Sequence, residues 1–369
     1  MSTAAEAPSD PADPADRASN VRPGTMRAIV LTAYGSIDNL AERVLPVPDP
    51  QPGEVLVRVH TVAANQRDLF TVHASPPGGP PPLILGIDPA GVVVATGAGV
   101  TEPSVGARVV VKPAVACGHC ERCTAGEEDA CESKETIGIT RPGGFAEYVA
   151  VPARNAFVLP DGLTFAEASA LVHSYPVALH MLRRVGIGPD DLVLVTSASG
   201  AVGSGAVQLA KAFGARVIAA AHGPAKVAVA EQLGADLVLD YERVPAFAAQ
   251  VREAYPDGVS VYVESAGNPA VWSEALRTLR PHARVGVCGA HGGPYVDVDL
   301  AWLFRQRVSI VGASGSTREE VQEILALAGR GSVRAPVDLV RPMRYAREVF
   351  QRIQARGNRG KVILDATFD

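Results

Sequence analysis

From about residue 190 onward, short apolar, β-branched runs alternate with stretches of helical period. The runs are LVLVT (192–196), RVIAA (216–220), LVLD (237–240), VSVYVES (259–265), RVGVCG (284–289) and VSIVGAS (308–314). Each is short and almost wholly apolar, as strands covered on both faces are. Six such strands alternating with helices predict an α/β fold with a doubly wound parallel sheet. Residues 26–180 have a different texture. MRAIVLTAY, EVLVRVHTVAAN, GVVVATG, ARVVVK and FAEYVAV are short strands parted by Gly and Pro, which predicts an antiparallel, barrel-like β domain. After the parallel section come two helical patterns, TREEVQEILALAG and MRYAREVFQRIQA, and a last strand, KVILD (361–365). Such a return completes the first domain, so the expected segments are a disordered tail (1–24), a β domain from 26–180 and 316–369, and a cofactor-binding domain inserted over 181–315.

Composition narrows the partners. The chain of 369 residues is long enough for two cores, and its 47% hydrophobic and 20% charged residues are ordinary for a soluble enzyme. A net charge of −5 without a basic stripe argues against nucleic acid and anionic membrane and leaves a small-molecule substrate. Residues 1–24 are rich in Ala, Pro, Asp and Ser and cannot bury enough surface to order themselves. They lack the apolar core of a signal peptide, and no run is long enough to span a bilayer, so the expected compartment is the cytoplasm.

Cys117, Cys120, Cys123 and Cys131 are spaced C-x2-C-x2-C-x7-C. Four thiolates on one short loop fit a tetrahedral Zn2+ with every position filled by protein, hence a structural metal, one per chain. Two disulfides are the alternative, disfavoured by the lack of a secretory signal. The fifth cysteine, Cys288, falls in a predicted central strand and reads as a buried core thiol.

The turn after LVLVT reads A-S-G-A-V-G, Ala198 to Gly203, in the slot of a dinucleotide fingerprint with Ala in its first position. Gly200 admits a pyrophosphate close to backbone, Gly203 lets the helix approach the strand, and Ser199, Ala201 and Val202 complete the turn at a helix N-terminus. At the end of the second strand Ala221 stands where an acidic residue would hold a ribose 2'-hydroxyl, and Lys226 and Tyr241 follow. Without that carboxylate a 2'-phosphate is not repelled and Lys226 can pair with it, so NADPH is the expected cofactor. A solvated helix lysine and a strand-end tyrosine are the plainer readings of these two.

With these motifs in place, the chain from about residue 26 resembles the medium-chain dehydrogenase/reductase superfamily, which holds the zinc alcohol dehydrogenases and the quinone oxidoreductases. The resemblance rests on the four-cysteine lobe, LGIDPAGVV (85–93), the 198–203 turn, VCGAHGG (287–293) and NRGKVIL (358–364). It implies a GroES-like catalytic domain plus a Rossmann domain, pairing of two chains through Rossmann edge strands with 308–314 as the edge, and Asn65 and Lys361 near the cofactor. It also implies that the catalytic-zinc positions fall on Asn65, on Ile87 with Asp88, and near His173, and that the alcohol's proton relay falls on Arg67. Asn65 and Ile87 do not suit zinc, and N-x-x-D from Asn65 to Asp68 resembles the quinone oxidoreductase branch. The expected reaction is therefore NADPH-dependent reduction of an activated C=C bond, in an enone, enoyl thioester or quinone. Hydride goes to the β-carbon, and the charge reaches a remote oxygen held by hydrogen-bond donors. Asn65 and Arg67 are the candidate donors, and His173, His73 and Tyr175 the candidate proton sources, each with a packing or solvated role as the alternative. The loop 74–82 is expected to border the substrate. The competing functions are an alcohol dehydrogenase or carbonyl reductase, without metal or with a weak site at His173 and Asp88, and a non-redox or non-catalytic member of the fold.

Overall fold

The structure, a computed structural model, describes residues 24–73 and 79–368. The expected tail over 1–23 and the tip of the 74–82 loop lie outside the described residues. The chain divides into two compact units, one running up to His173 and resuming at Val337, the other spanning Ser174–Pro336.

In the first unit the long strand Glu54–Ala64 organises a mainly antiparallel sheet. Nine of its eleven residues are buried, because it is paired along its whole length. It pairs antiparallel with Pro89–Thr96, with Tyr148–Pro152 through its first half, and with Lys361–Asp365 through its last residues, Val362 facing Ala64. The chain's late strand thus closes the first unit, which resumes at Val337 rather than at residue 316. A valine-rich core fills one side of this sheet, with Val55, Val57, Val93 and Val109 in it. A second core gathers Leu31, Leu69, Phe145, Phe350 and Leu364 under a three-stranded sheet in which Thr25–Leu31 is central. Its partner Leu40–Pro46 is a strand the sequence pattern does not reveal. That strand is mostly exposed and carries Glu42 and Arg43, so it has no apolar run.

The second unit is a six-stranded parallel sheet in the order Leu237–Asp240, Arg216–Ala221, Leu192–Thr196, Val259–Glu264, Leu279–Val287, Ser309–Gly312. The two central strands are buried at every position, which is why they read as continuous apolar runs. The chain winds outward from Leu192–Thr196 in one direction and restarts beside it with Val259–Glu264. The switch point, where such sheets take ligands, lies between these two strands. Among the described residues no helix is long and apolar enough to cross a membrane.

Candidate active site and metal centre

The cysteine lobe is built from a one-turn helix, Glu121–Thr124, and a 3-10 turn, Glu128–Ala130. The four sulfurs lie within 4.8 Å of one another, and no other group of His, Cys, Asp or Glu among the described residues has such an arrangement. Cys117 Sγ is 3.9 Å from Cys123 Sγ, and Cys120 Sγ is 3.9 Å from Cys131 Sγ. These separations are far beyond a disulfide and match the edge, about 3.8 Å, of a tetrahedron with Zn–S bonds of about 2.3 Å. Two backbone N–H groups already face the sulfurs: Cys117 N–H donates to Cys131 Sγ at 3.3 Å and Cys120 N–H to Cys117 Sγ at 3.4 Å. N–H groups of His119 and Cys120 hold the Cys117 thiol down at about 6. Loss of hydration and the neighbouring thiols push Cys123 up to about 12. Four sulfurs cannot all ionise at this spacing without a cation, and Zn2+ supplies one.

In the second unit the turn after Leu192–Thr196 places Ser197 at φ 53°, and Gly200 then opens the helix Ala201–Ala212. Gly200 has no side chain to cap this helix, so the first-turn N–H groups keep their positive end for a ligand. At Gly203 a Cβ would come 2.3 Å from the Ser197 carbonyl oxygen, so the helix lies close to the turn there. At the strand ends the His222 and Tyr241 rings meet edge-on at 5.4 Å, and Lys226 lies half-buried on the helix Pro224–Gln232. Sequence reasoning missed the neighbour of this turn. The exposed Glu242 carboxylate reaches over Gly223, where a Cβ would stand 2.5 Å from its oxygen. It also missed Thr196, Tyr262 and Glu264 at the switch point. The buried Glu264 carboxylate accepts the Tyr262 hydroxyl and the Ala266 and Gly267 N–H groups, and Thr196 Oγ1 lies 3.5 Å from it.

In the first unit, three neighbouring strands bring Asn65, Asp88 and Lys361 together. Asn65 directly follows Glu54–Ala64, Asp88 precedes Pro89–Thr96, and Lys361 begins Lys361–Asp365. The Lys361 ammonium donates to Asn65 Oδ1 and lies 3.3 Å from Asp88 Oδ2. The Asn65 amide donates to both Asp88 oxygens, at 3.2 and 3.1 Å, and to Ala63 O at 3.0 Å. Asp68 lies beside this trio on the helix Gln66–His73, accepting the N–H groups of Asn65 at 2.8 Å and Gly86 at 3.2 Å. Burial, then the Asp88 carboxylate, pushes the Asp68 carboxyl up to about 7. Burial also holds Asp88 above its ordinary range against the pull of Lys361.

The other candidates lie elsewhere. Tyr175 is a correction to the expected proton source. It is fully buried in the second unit, its hydroxyl donating to Arg334 O at 3.0 Å and accepting from Gln208 Nε2 at 2.7 Å. Burial raises its phenol far above the usual value, so it does not exchange protons near neutrality. His73 is exposed and anchored to Gly35 O and Gln354. Arg67 is exposed, and His173 is half-buried in the turn before Ser174–Arg184. Cys288 is half-buried just past its strand rather than within it, its thiol facing Glu264 O and pushed up to about 12 by burial.

Comparison with known proteins places this geometry. Residues 51–161 match the alcohol dehydrogenase GroES-like domain, and residues 201–330 match the zinc-binding dehydrogenase domain. An alcohol dehydrogenase of Geobacillus stearothermophilus is 34% identical over 316 residues, 85% of this chain and 92% of that protein. The chain belongs to the medium-chain dehydrogenase/reductase superfamily. An NAD-dependent alcohol dehydrogenase structure superposes with a TM-score of 0.87 at 34% identity, covering 92% of this chain and all of that one. A zinc-binding dehydrogenase of Sinorhizobium meliloti bound to NADP superposes at 0.82 with 26% identity, covering 92% and 99%. This superfamily member is accordingly an oxidoreductase with GroES-like and Rossmann units and a cysteine cluster suited to zinc. The expected reduction of an activated C=C bond is overturned, because the Geobacillus relative and the NAD-dependent structure are named alcohol dehydrogenases. A catalytic zinc in the relatives' manner does not fit here. Ile87 is a buried core side chain, and the Asp88 oxygens are already engaged by Asn65, Lys361 and the Ala63 N–H.

Proposed function

We propose that the chain is a nicotinamide-dependent alcohol dehydrogenase, or carbonyl reductase in the reverse sense. Hydride passes between the carbinol carbon and the cofactor, and the hydroxyl proton goes to solvent. The observation that carries this reading is the 34% identity to an alcohol dehydrogenase over 85% of the chain. The uncapped helix Ala201–Ala212 supports dinucleotide binding in the second unit. We infer NADPH as the preferred partner from Ala221, Lys226 and Tyr241, with Asn65 and Lys361 as the first unit's candidate cofactor contacts. Glu242 opposes a 2'-phosphate but is exposed and screened. The chain is inferred to pair with a second copy along Ser309–Gly312, an unpaired sheet edge carrying Ile310, flanked by Leu300 and Phe304, which are 41, 71 and 69% exposed.

The test is isotopic. Deuteride supplied on the reduced cofactor is expected on the carbinol carbon of the product when aldehydes and ketones are offered. Deuterium at the β-carbon of an enone, with no turnover of simple carbonyls, refutes the reading.

A further inference from the structure

Glu264 is a buried carboxylate to which the reaction above gives no role. It ends the strand Val259–Glu264 and is 2% exposed. Its Oε1 accepts the N–H groups of Ala266 and, at 2.8 Å, Gly267, and its Oε2 accepts the Tyr262 hydroxyl. All three partners are neutral donors, the set an ionised carboxylate takes. Its charge is felt next door: burial, then Glu264, pushes the Cys288 thiol up to about 12. Yet no lysine, arginine or histidine among the described residues pairs with Glu264. Carboxylates this deep are almost always paired, because a lone buried charge is costly. The charge is also fixed in place. The Gly292 N–H donates to Ala266 O, and a Cβ on Gly289 would come 2.1 Å from Ser265 O. The loops that follow two neighbouring strands are thus locked together beside the carboxylate.

The sheet topology sets what lies over it. A doubly wound sheet holds a dinucleotide across its switch point, one nucleotide over each half. The ribose position at the end of Arg216–Ala221 belongs to the adenosine, so the other nucleotide falls to the half that begins with Val259–Glu264. A nicotinamide ring is a cation when oxidised and neutral when reduced. We propose that the Glu264 carboxylate is the countercharge of the oxidised nicotinamide, and that it biases the bound pair toward carbonyl reduction. In that direction hydride leaves the neutral dihydronicotinamide for the carbonyl carbon, the ring becomes a cation, and the carbonyl oxygen takes a proton from water. Only the side with the cationic ring gains from a fixed negative charge. The inference rests on the dehydrogenase reading and on residues of the second unit alone.

The experiment titrates the full chain with NADP+ and NADPH, and with NAD+ and NADH in parallel, by calorimetry. Glu264→Gln keeps an amide oxygen for the Ala266 and Gly267 N–H groups and removes the charge. It is expected to weaken the oxidised form about tenfold relative to the reduced form. A carboxylate that only shapes the turn would weaken both forms alike. Tyr262→Phe keeps the charge and takes one donor from it, so the oxidised form is expected to hold or gain by up to about threefold; this variant decides if Glu264→Gln does not fold. An unmoved ratio in Glu264→Gln, or a relative loss of the oxidised form in Tyr262→Phe, overturns the inference and leaves the dehydrogenase reading intact. A wild type that binds neither form overturns both.

Discussion

Replacing Tyr175 by phenylalanine removes one buried oxygen and leaves the ring where it packs against Gly205. The magnitude follows from what the partners keep. Gln208 Nε2 loses its 2.7 Å bond to the phenol but still donates to Arg334 O at 2.9 Å and Ser204 O at 3.2 Å. Arg334 O therefore retains a donor, and Ser204 Oγ retains Ala201 O at 3.1 Å. No group is orphaned, so the cost is that of an ordinary net hydrogen bond, about 1 kcal/mol, rather than a full desolvation penalty. Thermal unfolding is expected to shift down by roughly 2–4 °C, with kcat and its pH profile unchanged. Tyr175→Ala, which also empties a ring-sized volume, is expected to cost about 3–5 kcal/mol. Calorimetry and steady-state kinetics on the same preparations decide the matter. A tenfold or greater loss of kcat in Tyr175→Phe, with stability intact, would refute the packing role and restore Tyr175 as a proton donor.

Three further outcomes are expected. Elemental analysis is expected to find one zinc per chain, and Cys120→Ser to release it with loss of about 2 kcal/mol or more, because three thiolates no longer close the site. Lys226→Ala is expected to weaken NADPH by about 1–3 kcal/mol and NADH hardly at all, and Glu242→Gln to favour NADPH by a few tenths of a kcal/mol; opposite signs in a binding titration refute the assignment. The Asp68 carboxyl sits at about 7 in the folded chain against 3.8 for the free group, so the folded state holds the extra proton. Its contribution therefore falls as pH rises from about 4 to 7 and is lost above that. Asp68→Asn is expected to flatten that slope in urea titrations, and an unchanged slope counts against the assignment.

The parallel sheet was legible because its central strands are buried on both faces, so their sequences are apolar without interruption. Leu40–Pro46 was not, because an exposed edge strand with Glu42 and Arg43 carries no such signal. The cysteine cluster was legible from spacing alone, since its ligands are local. The polar trio was not legible from spacing, and only the family resemblance pointed to its members. Lys361 lies 296 positions from Asn65 and 273 from Asp88, and only sheet pairing makes them neighbours. Tyr175 misled for the opposite reason: its type suits proton transfer, and nothing in one sequence says that its hydroxyl is enclosed. The carboxylate of Glu242 was missed because it arrives from the next strand's end rather than from the one that usually carries an acid.

The strand Lys361–Asp365 completes a sheet begun some three hundred residues earlier, and this has a consequence for biogenesis. During translation the whole of Ser174–Pro336 emerges before the residues that pair with Thr61–Ala64. The inserted unit can collapse on the ribosome while the first waits with the Ala64 end of its longest strand uncovered. Its Asp88 carboxylate meanwhile lacks the ammonium that will neutralise it. Nascent chains stalled before residue 361 are therefore expected to bind dinucleotide, yet to recruit holdase chaperones through that open edge.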